Sequence, residues 1–260
     1  MKKYIFIGVG AVVLGIIALI VLAIFNLGDL VKTATEKYAP QITKTEVRLG
    51  SADISILSGS GTLTKFYLGN PKGFSMPSAM ECDTIRVKVV TDSLTSNKII
   101  IEEVYVDGPV ISYEKKGKTD NFQTIVNNIK KTVAGEKKQE KQQKAASEKT
   151  GSEKTIQINN FIVKNGKINL GGSLLNAFGD KSMGIDLPDI HIKDIGKEKE
   201  TSPAEAFAII LGEMTGDVAG TVTQVGKQLM QGIGKALEGV DGGADSIGGT
   251  IKGLFGGSKE

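Results

Sequence analysis

Tyr4 to Phe25 is an unbroken apolar run of 22 residues with no charge in it, preceded by Lys2 and Lys3. At about 1.5 Å per residue, a run of this length crosses the roughly 30 Å hydrocarbon core of a bilayer. The alternative is a cleaved secretory signal, whose apolar stretch is usually about 7–15 residues with small residues at the cleavage site. Leu22-Ala23-Ile24-Phe25-Asn26 offers no small-x-small pair. The pattern favours an uncleaved signal anchor. The basic flank is short and Lys32 follows soon after the span, a modest bias that favours a cytoplasmic N-terminus and an exported remainder.

Past the anchor, Leu30 to Tyr38 reads as a short helix stopped before Pro40. The period then changes to two. Val47 and Leu49, then Ala52, Ile54 and Ile56, alternate with polar residues until Ser58-Gly59-Ser60-Gly61 breaks the run. Another strand starts around Leu63, and Asn70-Pro71-Lys72-Gly73 is a turn. Ile85, Val87 and Val89 alternate with Arg86 and Lys88, the pattern of a half-buried strand. Lys98 to Asp107 and Val110 to Tyr113 are two more strands, joined at Asp107-Gly108-Pro109.

Ile101 to Tyr113 matches Ile158 to Leu170, with apolar residues at the same six places in each copy. Both copies read as strand, glycine-containing turn, strand. They predict a sheet extended by similar hairpins, each burying the same face. Between the copies, Phe122, Ile125, Val126 and Ile129 share one face of a short helix over Asn121 to Val133, with Asp120 as its cap. Gly135 to Lys154 is almost free of apolar residues and reads as a mobile charged loop.

Ser202-Pro203-Ala204-Glu205 is a helix start, with a serine cap, proline in the first turn and an acidic residue at the positive end. Phe207, Leu211, Met214, Val218, Val222, Val225, Leu229, Ile233 and Leu237 then recur every three or four residues as one apolar stripe. Gly212, Gly216 and Gly220 add a four-residue spacing that allows close backbone approach. Glu213 and Asp217 make this segment a poor membrane span, so close packing on a sheet is its expected use. From Gly239 the chain is glycine-rich, with isolated Ile247, Ile251, Leu254 and Phe255.

Composition narrows the function classes. The net charge is +3 from 32 basic and 29 acidic residues, too balanced to imply nucleic acid. The dense cluster Glu136 to Lys149 carries both signs and reads as solvated linker. There is one cysteine and one histidine, so no Cys-Cys-His metal cluster can be assembled. Cys82 reads as a small buried side chain in a strand. His191, between Ile190 and Ile192, reads as a surface or pairing histidine. Glu102-Glu103 point to opposite sides of a strand and cannot cooperate in acid/base work. No phosphate-binding loop or zinc-protease motif occurs. The residues call for no cofactor and no catalytic group, and enzyme is the disfavoured class.

A short anchor, a brief helix and then alternating strands resembles the AsmA-like family of bacterial envelope proteins. The residues that carry the resemblance are Val47 to Ile56, Leu63 to Phe74, and Ile101 to Tyr113 with its Asp-Gly-Pro turn. It covers roughly Ile5 to Ile129 and, more loosely, Ile158 to Leu170. It implies a curved sheet with an apolar concave face, and the large members are implicated in phospholipid transport across the envelope. It brings no catalytic residues. This chain is short: ten to twelve strands about 4.8 Å apart make a sheet of only about 50–60 Å. Such a groove could not bridge a wide periplasm alone.

The expected fold is therefore α+β: an N-terminal transmembrane helix, a curved, mainly antiparallel sheet of repeating hairpins, and a long C-terminal amphipathic helix packed on the sheet. The expected segments are an anchor over 1–28, an AsmA-like β-rich region over 29–134 and a charged linker over 135–154. A second hairpin region over 155–200, the helix over 201–239 and a glycine-rich tail over 240–260 follow. The expected site is a lipid groove lined by Ile54, Ile56, Ile85, Val87, Val89, Ile158, Ile168 and Leu170, with membrane lipid as its partner. The C-terminal stripe is then a lid or the missing half of a core. The other reading is a non-enzymatic envelope scaffold whose groove is filled by its own helix and whose edges or linker recruit an envelope protein. Either way the expected place is the bacterial inner membrane, single-pass, with the bulk of the chain in the periplasm.

Overall fold

The computed structural model describes residues 26–143, 154–172, 174 and 184–237, the side chains of 136–143 and 229–237 excepted. Tyr4–Phe25, the middle of the charged linker, the Leu229 side chain and the C-terminal tail lie outside the described residues. Among those described, no helix is long and apolar enough to cross a membrane.

The first helix, α1, runs Leu27–Thr43. It continues through Pro40, where the sequence predicts a stop. Proline there removes one hydrogen bond near the helix end, and other groups close the terminus. Lys44 takes a left-handed conformation (φ 58°), its N–H reaches the Pro40 carbonyl, and the Asn128 amide donates to the Thr43 carbonyl at 3.0 Å.

Among the described residues eleven strands follow in one sheet: β1 (Val47–Arg48), β2 (Ser51–Ser55), β3 (Ser60–Gly69), β4 (Ser78–Val89), β5 (Lys98–Asp107), β6 (Val110–Lys116), β7 (Thr119–Asp120), β8 (Thr155–Lys164), β9 (Lys167–Gly172), β10 (Ile185–Asp186) and β11 (Ile190–Ile195). A 3-10 turn at Thr91–Thr95 joins β4 to β5. The repeated segments are not hairpins. β5 and β6 run on in the same direction along β4, Asp107 facing Thr84 and Val110 facing Glu81. β8 and β9 likewise form one interrupted strand, and they lie parallel to β5 and β6. The sheet is thus mainly antiparallel, as expected, but mixed, because β5–β8 and β6–β9 pair in parallel.

The two sequence copies are the two partners of that parallel pairing. Ile101 faces Ile158, Val104 faces Phe161, Val106 faces Val163, Ile111 faces Ile168 and Tyr113 faces Leu170. The similarity is therefore the register itself: each row of the sheet needs the same apolar residue at the same height. Parallel neighbours require a long crossover. β7, the helix α2 (Asn121–Gln143) and the residues up to Thr155 supply it. Asp120 caps α2 as expected, its Oδ1 accepting the Gln123 N–H at 2.7 Å.

The interruptions fall on one line across the sheet. Leu49-Gly50, Lys65, Gly108-Pro109, Asn165-Gly166 and Leu187-Pro188 are neighbours along it, and Lys65, Gly108 and Asn165 all have φ between 52° and 60°. Hydrogen bonds span the break from Gly108 N to Lys164 O and from Lys167 N to Pro109 O, both 2.8 Å. Each row gains a residue at the line, so the inward apolar positions step by five. Leu63/Leu68, Ile85/Met80, Val106/Ile111, Val163/Ile168 and Ile190/Ile185 mark the step. An odd step keeps the same face inward although the strand has bent, and the sheet curls strongly. Because strands join end to end, the sheet is six rows wide, roughly 25–30 Å at the usual strand spacing, about half the expected length.

The inner face is covered by α1, α2 and the C-terminal helix α3 (Pro203–Leu237). Ser202 and Glu205 form a reciprocal cap: the serine Oγ accepts the Glu205 N–H, and the Glu205 carboxylate accepts the Ser202 N–H. Leu211, Met214, Val218 and Val222 are at most 1% exposed, packed with β8, β11 and α2, while Phe207 and Val225 flank them half-buried. Gly212, Gly216 and Gly220 do not pack on the sheet. They are exposed, with no atom within 4 Å of where a Cβ would stand. Each helical residue turns by about 100°, so the glycines point outward whenever the stripe points in.

Candidate functional site

Across the rows, Ile54, Gly61, Val87, Val104, Phe161 and Ile192 stand side by side on the inner face. The helices cover the Phe161 end of this row. At the Ile54 end they do not, and Ile54, Val87 and Val104 are only half-buried. There the surface dips into a cleft of about 440 Å³. Ile54 and Ile56 come from β2 and its following turn, Gly61 and Leu63 from β3, Val87 and Val89 from β4, Leu94 from the 3-10 turn. Leu27 and Val31 of the first turns of α1 close the remaining side. Apart from the small Ser55 and Ser60, no polar side chain among the described residues lines it.

Local sequence explains each wall. Gly28 lets α1 press onto β2, since a Cβ there would stand 1.9 Å from the Ala52 carbonyl oxygen. Gly59, at φ 65°, turns the chain back into β3, and its carbonyl accepts the Val89 N–H at 2.7 Å. Gly61 removes a side chain from the middle of an otherwise apolar row, which makes the floor.

The eight expected groove residues divide in two. Ile54, Ile56, Val87 and Val89 meet in the cleft. Ile85, Ile158, Ile168 and Leu170 do not line it: they lie in the core, between 0% and 8% exposed, under the helices. Alternation identifies the inward face but not where its cover ends. Sequence reasoning missed four apolar lining residues: Leu63, read as the start of a strand but not assigned to the groove, and Leu27, Val31 and Leu94, which belong to a helix and a turn outside the strand pattern. Of the last three, Leu27 alone carried a signal, lying two residues after the long apolar run.

A second depression, about 410 Å³, lies along the fold line and is lined by charged and apolar side chains together. Most of its charges are engaged locally. Lys65 bonds Asp83 at 2.6 Å, Arg48 stacks 3.9 Å over the Tyr67 ring, Lys32 donates to the Gly50 carbonyl and the Glu36 carboxylate accepts the Leu49 N–H. The Asp83 hydrogen bond and charge raise the Lys65 pKa above the ordinary lysine range. Cys82 is buried in β4, its Sγ donating to the Thr84 and Asp107 carbonyls, and desolvation pushes its thiol pKa up. That is the opposite of an activated thiolate. His191 lies exposed on β11, 2.9 Å from Asn160 Oδ1. Among the described residues no group of histidine, cysteine and carboxylate side chains is placed to hold a metal ion.

Comparison of the chain with protein-family models, with characterised proteins and with solved structures returns no match.

Proposed function

We propose that this is a single-pass, inner-membrane-anchored envelope protein that handles lipid without catalysis, taking an acyl chain into the cleft between α1 and β2–β4. One observation carries the reading. An almost wholly apolar cleft opens beside Leu27, two residues past the apolar run that the sequence marks as an anchor. Its volume falls in the range of small-ligand pockets, about 300–1,000 Å³. The resemblance to AsmA-like proteins, with their apolar concave sheets, supports the same reading and the periplasmic orientation.

The energetics suit exchange more than capture. Burying a methylene from water contributes about 0.8 kcal/mol. An acyl chain arriving from a bilayer is already out of water, so its transfer into the cleft is nearly neutral. The cleft would lower the cost of holding a chain clear of the bilayer and would fix no headgroup.

Photo-crosslinking tests this. The full chain is reconstituted in vesicles with a phospholipid carrying a diazirine on its acyl chain, irradiated, digested with trypsin and mapped by mass spectrometry. Adducts are expected on Leu49–Lys65 and Val89–Lys98, the peptides that carry β2, β3 and the 3-10 turn. Adducts confined to residues 1–25 would sink the proposal.

The scaffold reading keeps one specific support: the stripe Leu211 to Val222 is dry against sheet and α2, and half of the expected groove residues are under helices. On that reading α3 is a permanent part of the core and no adducts form in the cleft.

A further inference from the structure

The described residues leave seven large apolar side chains exposed, and four of them line the cleft or are next in sequence to a residue that does. Leu57, at the tip between β2 and β3, is 99% exposed, and Ile56 beside it lines the cleft. Val90 follows Val89 at the end of β4, which the Gly59 carbonyl ties to the same tip. Leu30 stands on α1 next to Val31. The other three, Tyr38, Val110 and Ile209, are on separate elements. From Ser55 to Thr64 the tip and its flanks hold no charge. Leu57 contributes nothing to the packing of the fold, and Leu57 and Ile56 exposed side by side in an uncharged tip ask for an apolar partner.

We infer that this rim, built on Leu57 and Ile56, docks into the boundary between headgroups and acyl chains of the bilayer that holds the anchor, and so sets the mouth of the cleft at the level of the acyl chains. The occupant is a lipid surface and not a second protein because of where the undescribed chain ends. Asn26 adjoins Leu27 in the cleft wall, and the 25 residues before it include the long apolar run. A short uncharged loop bearing leucine and isoleucine suits shallow insertion, where apolar side chains gain burial and the flanking serines keep water or headgroups as partners. Two attachments, anchor and rim, fix an orientation that a single attachment would leave free. This inference rests on the anchored-lipid reading, and the test separates the two.

The chain has no tryptophan, so a single indole reports its own position. Leu57→Trp and Val110→Trp are made in the full chain and reconstituted in phosphatidylcholine vesicles, part of the lipid brominated along the acyl chain. The expected result is that the indole at position 57 is blue-shifted relative to the one at position 110 and loses most of its emission to brominated lipid, while the one at 110 keeps its own. Equal, solvent-like and unquenched emission from both would overturn the inference. Diazirine adducts in the cleft together with an unquenched position 57 would refute the rim and leave the cleft reading standing. Quenching at 57 without adducts would support the rim and remove the cleft's occupant. Leu57→Asp provides a second readout. It is expected to leave thermal unfolding unchanged, since the side chain packs on nothing, and to lower the adduct yield; an undiminished yield would count against docking.

Discussion

Filling the cleft floor at Gly61 should make the protein more stable and lower the yield of acyl-chain adducts. A Cβ at Gly61 would stand 3.8 Å from the Asp53 carbonyl oxygen, 3.9 Å from Ile54 Cγ1 and 4.0 Å from Val87 Cβ, all ordinary contacts. The residue does not have a left-handed φ, so a β-branched side chain is tolerated. Gly61→Val removes a strand-interior glycine, worth roughly 0.5–1 kcal/mol against alanine. It also adds two methyl groups, each worth about 0.8 kcal/mol when fully buried. The site is half-open, so about half of that second contribution is realised. The net gain is about 1–2 kcal/mol, or a rise of about 3–6 °C in Tm for a chain of this size. The assay is thermal unfolding by circular dichroism of the full chain in nanodiscs, paired with the diazirine-lipid adduct yield. The reasoning requires a higher Tm together with a lower yield. A lower Tm would mean that the floor is not empty. A higher Tm with an unchanged yield would mean that the cleft does not hold the chain.

Three further outcomes follow from the polar interior and the buried thiol. Asn121 is fully buried, donating to Asn70 Oδ1 and the Ser112 carbonyl, both at 2.7 Å, and accepting the Glu114 N–H. Asn121→Ala strands these partners and should cost about 2–4 kcal/mol, measured by denaturant unfolding; a loss below 1 kcal/mol would show that water replaces the amide. Burial raises the Asp120 pKa above its ordinary 3.8, against the hydrogen bonds from Gln123, Tyr113 and Phe122. The folded state therefore binds this proton more tightly than the unfolded state, and stability falls as pH climbs from the unfolded pKa through the folded one. Asp120→Asn keeps a capping side chain and should flatten that fall; unfolding curves across this pH range that match the wild type would refute the assignment. Cys82 should stay unreactive toward a thiol reagent in the folded protein at neutral pH, and rapid labelling without unfolding would contradict its burial.

The parts of the fold that follow from local chemistry were legible in the sequence. Asp120 and Ser202 cap the helices they were expected to cap, and the C-terminal stripe is buried through Leu211, Met214, Val218 and Val222. The repeat from Ile101 and Ile158 was visible, but its meaning was not. Apolar spacing is the same for a hairpin stack and for parallel neighbours in register. What separates them is the direction of the chain after Gly108 and Asn165, set by left-handed residues and by hydrogen bonds across the break. The continuation of α1 through Pro40 was hidden for a similar reason, since Lys44 and Asn128 close the helix end from outside it. Half of the candidate groove residues lie in the core instead of the cleft, because alternation marks a face, while burial depends on which part of that face the helices reach.

The cleft itself follows from missing side chains. Gly28 brings the start of α1 against Ala52, Gly59 folds the tip back onto Val89, and Gly61 leaves a hole in the row from Ile54 to Ile192. A search for apolar positions passes over all three, since a glycine in a strand reads as a break. In the structure Gly61 lies inside β3, paired with Ile54 on one side and Val87 on the other. Two kinds of glycine are therefore at work in one short segment. Gly59 is required by the backbone, and substituting it would collide with the Val89 carbonyl at 2.3 Å. Gly61 is required by nothing in the backbone and could carry any strand residue. A glycine that stability alone would replace, in a row whose other members are all branched or aromatic, is best explained by the space it keeps open.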